Sequence, residues 1–282
     1  MIDNSQMQTF KDCPERYRLK YVLGLRKIEE GRDEHDKEFG GAIHAGLEAI
    51  YKGKPLEEAK LAFSEAYPLQ LNGEDMAKTQ ANGLTLLEKY QSHYAIEDKS
   101  LEILGVEVKD SFLIGPLEFL VKIDLIVRKQ GCVYFVDHKT TGKTFNWQYW
   151  SRFEPNPQIT GYTAYCRAKY GECSGGIINA IRFGHRQNKY MGQPAGFYYE
   201  FQRQLFNRNQ EQVEAWKQDT LQWAKSLEEA RLVSNVWKKN EGQCGFCSFK
   251  EVCISCADEQ IINQLYEVVN PLEYLNDNSR TD

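Results

Sequence analysis

The chain has 282 residues, 41% of them hydrophobic and 27% charged, with a formal net charge of −5 at pH 7. That is enough apolar material for a real core, in one elaborated domain or two small ones, and the acidic balance excludes a protein whose whole surface clings to nucleic acid. The N-terminus is polar and no apolar run approaches membrane-spanning length, so a soluble cytoplasmic protein without a membrane partner is expected.

In chain order, Ser5 to Leu23 is expected as a helix, followed by a charged loop through Gly31 to Asp36 and a short helix over Phe39 to Tyr51. Pro55 to Tyr94 has a helical pattern interrupted at Pro68 and at Asn72-Gly73, which suggests a helical cap over 53–95 beside the core. Leu101 to Thr140 patterns as a three-stranded meander whose tight turns are Gly115-Pro116 and Gln130-Gly131. A helix over Pro157 to Tyr170, strands over Gly176 to Phe183 and Gly196 to Arg203, and a long amphipathic helix over Asn207 to Val233 complete the pattern. Trp216 and Trp223, seven apart on that last helix, are assigned to packing.

The meander carries the chemistry. If Lys129 and Cys132 flank the Gln130-Gly131 turn, pairing continues outward until Asp124 lies opposite Asp137. Cross-strand Cβ atoms are about 4.5–5.5 Å apart, and like charges placed so are destabilising unless something neutralises them. Lys139 falls on the same face as Asp137 because side chains alternate along a strand. A two-residue turn at Gly115-Pro116 would bring Glu107 to the other side of Asp124 as a third acid, although one extra residue or a bulge would turn it away. The ordinary alternative is a surface salt-bridge ladder. Against it, both acids sit within apolar runs, and buried charges need partners. Carboxylates on a sheet, an oxygen-ligated hard cation such as Mg²⁺ or Mn²⁺ and a lysine two residues after the second acid suit phosphodiester hydrolysis. Thr141-Gly142-Lys143-Thr144 imitates the end of a P-loop, but Asp137 stands where its first glycine belongs.

Four of the eight cysteines form Cys244-x2-Cys247-x5-Cys253-x2-Cys256, and Cys13 precedes Pro14 near the start. Inside a cell such clustering argues for a metal rather than disulfides. Zinc on Cys244, Cys247, Cys253 and Cys256 has the right ligand count but a spacer shorter than the usual roughly 12–20 residues. An iron–sulfur cluster needs four thiolates, which distant parts of the chain can supply. Cys132, Cys166 and Cys173 have no partner at ligand spacing and are expected as ordinary buried thiols. Two basic groups, Arg16, Arg18, Lys20, Arg26 and Lys27, and Arg182, His185, Arg186 and Lys189, are candidates for phosphate contact or for solvated surface.

Asp124, Asp137-His138-Lys139-Thr140 and Gln158-Ile159-Thr160-Gly161-Tyr162, in that order, resemble the PD-(D/E)XK nuclease superfamily, most closely its RecB-like exonucleases. The resemblance implies an α/β fold with a restriction-endonuclease-like αβββαβ core and metal-dependent DNA cleavage. It also makes DNA the partner and brings in helicase, recombination or CRISPR adaptation proteins as associates. Matched position by position, His44, Asp124 and Asp137 would hold Mg²⁺ or Mn²⁺ and Lys139 would assist the attacking water. Gln158 and Tyr162, which share a helix face, would order the lysine or contact DNA. Val121 departs from the glycine often found three residues before the first acid. Relatives with a cluster imply a 4Fe-4S group on Cys13, Cys244, Cys247 and Cys253, with Cys256 an extra thiol. Three regions of one elaborated domain follow: the cap, a catalytic sheet core over 101–203, and an iron–sulfur region in which 1–27 and 240–258 join the two ends. The rivals are a non-catalytic nucleic-acid-binding or assembly protein keeping the fold, and a zinc-stabilised binding module.

Overall fold

The computed structural model describes residues 1–28, 32–67, 76–188 and 195–270, with the backbone alone for 32–36. The expected interruptions at Pro68 and Asn72-Gly73, together with Gly31 and Lys189, lie outside the described residues. Two compact units emerge, Met1–Glu30 with Ser111–Leu120 and Glu214–Asn278, and Gly31–Asp110 with Val121–Val213 and Ser279–Asp282. Among the described residues no helix is long and apolar enough to cross a membrane.

The larger unit is a mixed α/β fold built on strands β3 (Glu102–Ile114), β4 (Leu117–Lys129), β5 (Cys132–Thr141), β6 (Gly175–Arg186) and β7 (Gly196–Asn207). The β4–β5 turn has positive φ at both Gln130 (52°) and Gly131 (83°), the type I′ geometry that suits the twist of a two-residue hairpin. It sets the register Lys129↔Cys132 through Leu125↔Val136, antiparallel. β5 pairs in parallel with β6, so the chain must cross over between them, and β6 pairs antiparallel with β7. β3 pairs with β4.

Alternation gives this sheet two faces. Leu125, Val127, Val136, Ile181 and Phe183 pack with helices α3 (Arg32–Tyr51), α4 (Leu56–Ala66) and α5 (Gln80–Tyr94) in one apolar cluster. Helix α3 contributes Phe39, Ile43, Leu47 and Tyr51, four apart and therefore on one stripe. This helix begins at Arg32, where a charged loop was expected. On the opposite face Phe135 meets Tyr162 of α7 (Pro157–Tyr170) edge to face at 5.3 Å. Helix α7 starts where Asn156 accepts the Ile159 N–H at 3.1 Å with Pro157 at the first position, and stops at Gly171 with φ 79°. The short α6 (Trp147–Ser151) precedes it.

In the smaller unit β1 (Ile2–Asp3) pairs in parallel with β4 at Phe119 and Leu120. Helix α1 (Asn4–Asp12) is capped by Asp3, which accepts the Gln6 N–H at 2.7 Å. The single helix expected to Leu23 breaks at Cys13, held extended at φ −162° because Pro14 follows it, and α2 (Pro14–Tyr17) and a wider turn over Arg18–Val22 come next. β2 (Leu25–Lys27) pairs antiparallel with β8 (Tyr266–Val268), and Leu19, Leu25, Phe249, Val252 and Tyr266 form a small core around α9 (Lys250–Ile254) and α10 (Glu259–Leu265). Helix α8 (Gln210–Glu228) starts later and ends earlier than expected, because Asn207 completes β7 and a wider turn takes Glu229–Ser234. Its Trp216 packs on Phe119 and its Trp223 on Phe10, both half-buried.

Gly176 sits under Phe135, and a Cβ there would lie 2.0 Å from the ring. Gly176→Ala should therefore destabilise the protein by about 1–3 kcal/mol through overpacking, read as a lower midpoint in urea unfolding.

Candidate active site

The four residues Asp124, Asp137, His138 and Lys139 are all at least 96% buried, in the middle of β4 and β5. Asp124 follows the last registered pair, Leu125↔Val136, by one residue. Its Oδ2 accepts the His138 backbone N–H at 2.8 Å, and its Oδ1 lies 3.3 Å from Nδ1 of His44 on α3. Asp137 reaches along its own strand to Lys139, with Oδ2 3.2 Å from Nζ. A buried lysine and carboxylate at this distance compensate one another, where burying either alone would be costly.

Glu107 completes the site from β3. One ligand atom each from His44, Glu107 and Asp124 lies within 4.8 Å of the others, and among the described residues this is the one such group of three or more His, Cys, Asp or Glu. Asp137, expected as a ligand, lies outside that trio and pairs with Lys139. Glu107 has φ 48°, the left-handed region, in an otherwise extended strand. A non-glycine residue there costs about 1–2 kcal/mol and usually marks a bulge, so the irregularity that could have turned Glu107 away accompanies its arrival. One nitrogen and two carboxylate oxygens are a donor set fit for Mg²⁺ or Mn²⁺.

Gln158 and Tyr162 serve the strand. Gln158 Nε2 donates to the Tyr162 hydroxyl at 3.2 Å, and that hydroxyl donates to the Lys122 carbonyl, two residues before Asp124. The pair thereby pins β4 beside its carboxylate.

A polar network invisible in the sequence backs His138. Its Nδ1 is 2.7 Å from Asn179 Nδ2, and its ring stacks on Tyr51 at 5.6 Å. Asn179 also donates to the Tyr90 hydroxyl at 2.8 Å. Arg203 closes the group, donating to Asp98 at 2.6 Å, Tyr51 at 2.8 Å and Tyr90 at 3.1 Å, with its guanidinium 3.6 Å from the Tyr94 ring centroid. Burial disfavours the Arg203 charge, but Tyr90, Tyr51 and Asp98 outweigh it and hold the guanidinium protonated. Burial also pushes the Tyr51 and Tyr90 hydroxyls up, so they stay neutral while accepting from Arg203. A polar residue in the apolar run of β6 was the one available hint of Asn179.

In the smaller unit hydrogen bonds join the chain around Cys13 to residues 238–240. The Glu15 N–H donates to the Lys238 carbonyl at 3.0 Å, Asn240 Nδ2 to the Asp12 carbonyl at 2.7 Å, and the Asn240 N–H to Cys13 Sγ at 3.4 Å. Cys244, Cys247 and Cys253 are half-buried and Cys256 is exposed, all as free cysteines. Burial pushes the Cys253 thiol up, opposed by the nearby Lys239 charge. Cys132 is half-buried rather than buried, while Cys166 and Cys173 are buried and hydrogen-bond each other, which raises the Cys166 thiol. Of the first basic group, Arg16 pairs with Asp12, Arg18 with Glu15, Arg26 with Glu267 and Lys27 with Glu251, so those charges are largely met internally.

A family model described as the PD-(D/E)XK nuclease superfamily matches residues 4–254, and the chain belongs to that superfamily. Its fold is similar to a crystal structure from Eubacterium rectale described provisionally as an exonuclease, with TM-score 0.51, 14% identity, and coverage of 87% of this chain and 86% of that one. A crystal structure of SSO0001 aligns at TM-score 0.30 and 12% identity over 76% of this chain and 84% of that one, too weakly to bear on the fold. Comparison with curated proteins finds no match.

Glu107 offers a test that separates ligation from folding. Glu107→Gly relieves a positive φ, and that relief offsets the roughly 0.5–1 kcal/mol a strand glycine costs. Its unfolding free energy should stay within about 1 kcal/mol of the parent's, while Mn²⁺ affinity measured by calorimetry should fall about tenfold or more.

Proposed function

We propose that the chain is a metal-dependent deoxyribonuclease, an exonuclease acting on single strands or duplex ends. The observation that carries this reading is the convergence of His44, Glu107 and Asp124 within 4.8 Å, beside a buried Lys139 held 3.2 Å from Asp137. Family membership supports a nuclease, and the provisional description of the Eubacterium rectale protein agrees with end-directed cutting on fold alone.

His44, Asp124 and Glu107 would hold Mg²⁺ or Mn²⁺, with Asp137 close by as a further acid. When bound, the ion polarises the scissile phosphoryl group and lowers the pKa of an attacking water. The remaining work falls to the chain. Asp124 is oriented by the His138 N–H and needs no reorganisation. Asp137 keeps Lys139 charged and aimed, so its ammonium can orient the water and meet the charge that develops on phosphate oxygens. Gln158 and Tyr162 hold β4 in place. Helicase, recombination or CRISPR adaptation proteins are fitting partners for such an activity, since the chain carries no P-loop of its own.

End-labelled single- and double-stranded DNA incubated with Mg²⁺, Mn²⁺ or EDTA tests the reading. Cleavage should require a metal, shorten linear DNA from an end and spare closed circles, and Asp137→Ala and Lys139→Ala should each slow it by about 10²–10³-fold. Absence of cleavage with both metals, or parental rates in both variants, overturns it.

We further propose that Cys13, Cys244, Cys247 and Cys253 bind a 4Fe-4S cluster that ties residues 12–15 to 238–253. The N–H of Asn240 directed at Cys13 Sγ supports this, because such hydrogen bonds stabilise and tune cluster thiolates. Protein purified without oxygen should be brown, with about four iron and four acid-labile sulfide per chain, both lost in Cys13→Ser. Colourless protein holding stoichiometric zinc would instead favour a site on Cys244, Cys247, Cys253 and Cys256.

A further inference from the structure

We propose that the sheet face leading away from Lys139 binds a single-stranded nucleic acid through Arg182, Tyr198 and Arg186; this deepens the nuclease reading and rests on it. The second basic group of the sequence is resolved by register. β5 and β6 pair Lys139 with Ala180 and Thr141 with Arg182, and β6 and β7 pair Arg182 with Glu200, Gly184 with Tyr198 and Arg186 with Gly196. Registered neighbours face the same way and alternate residues share a face. Lys139, Thr141, Arg182, Tyr198 and Arg186 therefore follow one another on one side of the sheet, and His185 lies on the other.

The strip is built rather than accidental. Gly184 has no side chain where Tyr198 crosses it, and a Cβ would lie 2.5 Å from the phenolic oxygen and 2.7 Å from Cζ. The Tyr198 ring thus rests on bare backbone. The guanidinium of Arg186 stands 4.0 Å from the ring centroid and that of Arg182 5.2 Å away. Both guanidinium groups gather on one aromatic ring, so little further entropy is lost when a ligand arrives. Glu200 pairs with Arg182 at 2.9 Å and offsets one charge, leaving the strip net positive by Arg186 before Lys139 is reached.

A flat ring flanked by guanidinium planes suits a polyanion with exposed bases. Unpaired bases can stack on phenol or guanidinium while phosphates meet the arginines. A duplex has its base faces already occupied, so the strip favours single strands. Continuity with Lys139 gives a strand held here a direct path to the scissile position.

The test measures binding of a fluorescent oligothymidylate by anisotropy in EDTA, so that no cleavage is needed. Tyr198→Ala should weaken binding by about 5- to 100-fold, as for loss of one stacked base. Gly184→Ala, which pushes the ring off its seat, should weaken it several-fold, and Tyr198→Phe should bind as the parent does. Arg186→Ala, at an incompletely buried position, should lower the slope of log K against log salt by about 0.7. In Mn²⁺ the same variants should raise KM and leave kcat near the parent's. Parental affinity in Tyr198→Ala and Arg186→Ala, no binding by the parent, or a preference for duplex each overturns the proposal. A chain that binds through the strip but cleaves nothing with either metal loses the nuclease reading alone. A chain that cleaves, with variants that bind and cleave as it does, loses the strip alone.

Discussion

The site depends on one buried carboxylate. Asp124, 2% exposed, has one oxygen on the backbone N–H of His138 and the other facing the imidazole of His44. A carboxylate out of water survives only where its lone pairs are met. Meeting them at Asp124 constrains two elements: β5 must present its main chain and α3 must bring His44 close. The anchoring of β4 by Tyr162 and the packing of α3 on Leu125 and Val127 both serve that constraint.

Behind it, the Arg203 group does for His138 what His138 does for Asp124. Arg203, Asp98, Tyr51, Tyr90 and Asn179 come from four separated stretches of chain and form a largely buried polar wall in which each hydroxyl and amide has a named partner. Networks of this kind are stable only when complete. The stacked Tyr51 ring and the Asn179 amide together fix the imidazole.

Much of the meander was legible because its chemistry is local. Gln130-Gly131 accepts two positive φ angles, the alternation of LEFLVKIDLIVR marks the buried face, and together they set the register as far as Leu125↔Val136. The break at Cys13 was not read, although the Pro14 that follows it disfavours helix there. Other features were not legible. Register gives the side of a strand and not its rotamers, so Asp137 turns along β5 to Lys139 while Glu107 joins His44. The left-handed φ at Glu107 leaves no trace in composition, and Arg203 is separated from Asp98 by 105 residues. The start of α3 misled because a charged stretch, Arg32 to Asp36, patterns as loop until the apolar stripe behind it is seen as its continuation.

The seat of Asp124 has a consequence for how the site assembles. Its donor is main chain, which every residue type but proline supplies at position 138, so that half of the site is insulated from side-chain change. The other two members of the trio are carried differently, one on a helix at the rim of an apolar cluster and one on a residue under backbone strain. The proposed ion would meet at Asp124 a carboxylate already seated by main chain, which is a lock with one fixed jaw.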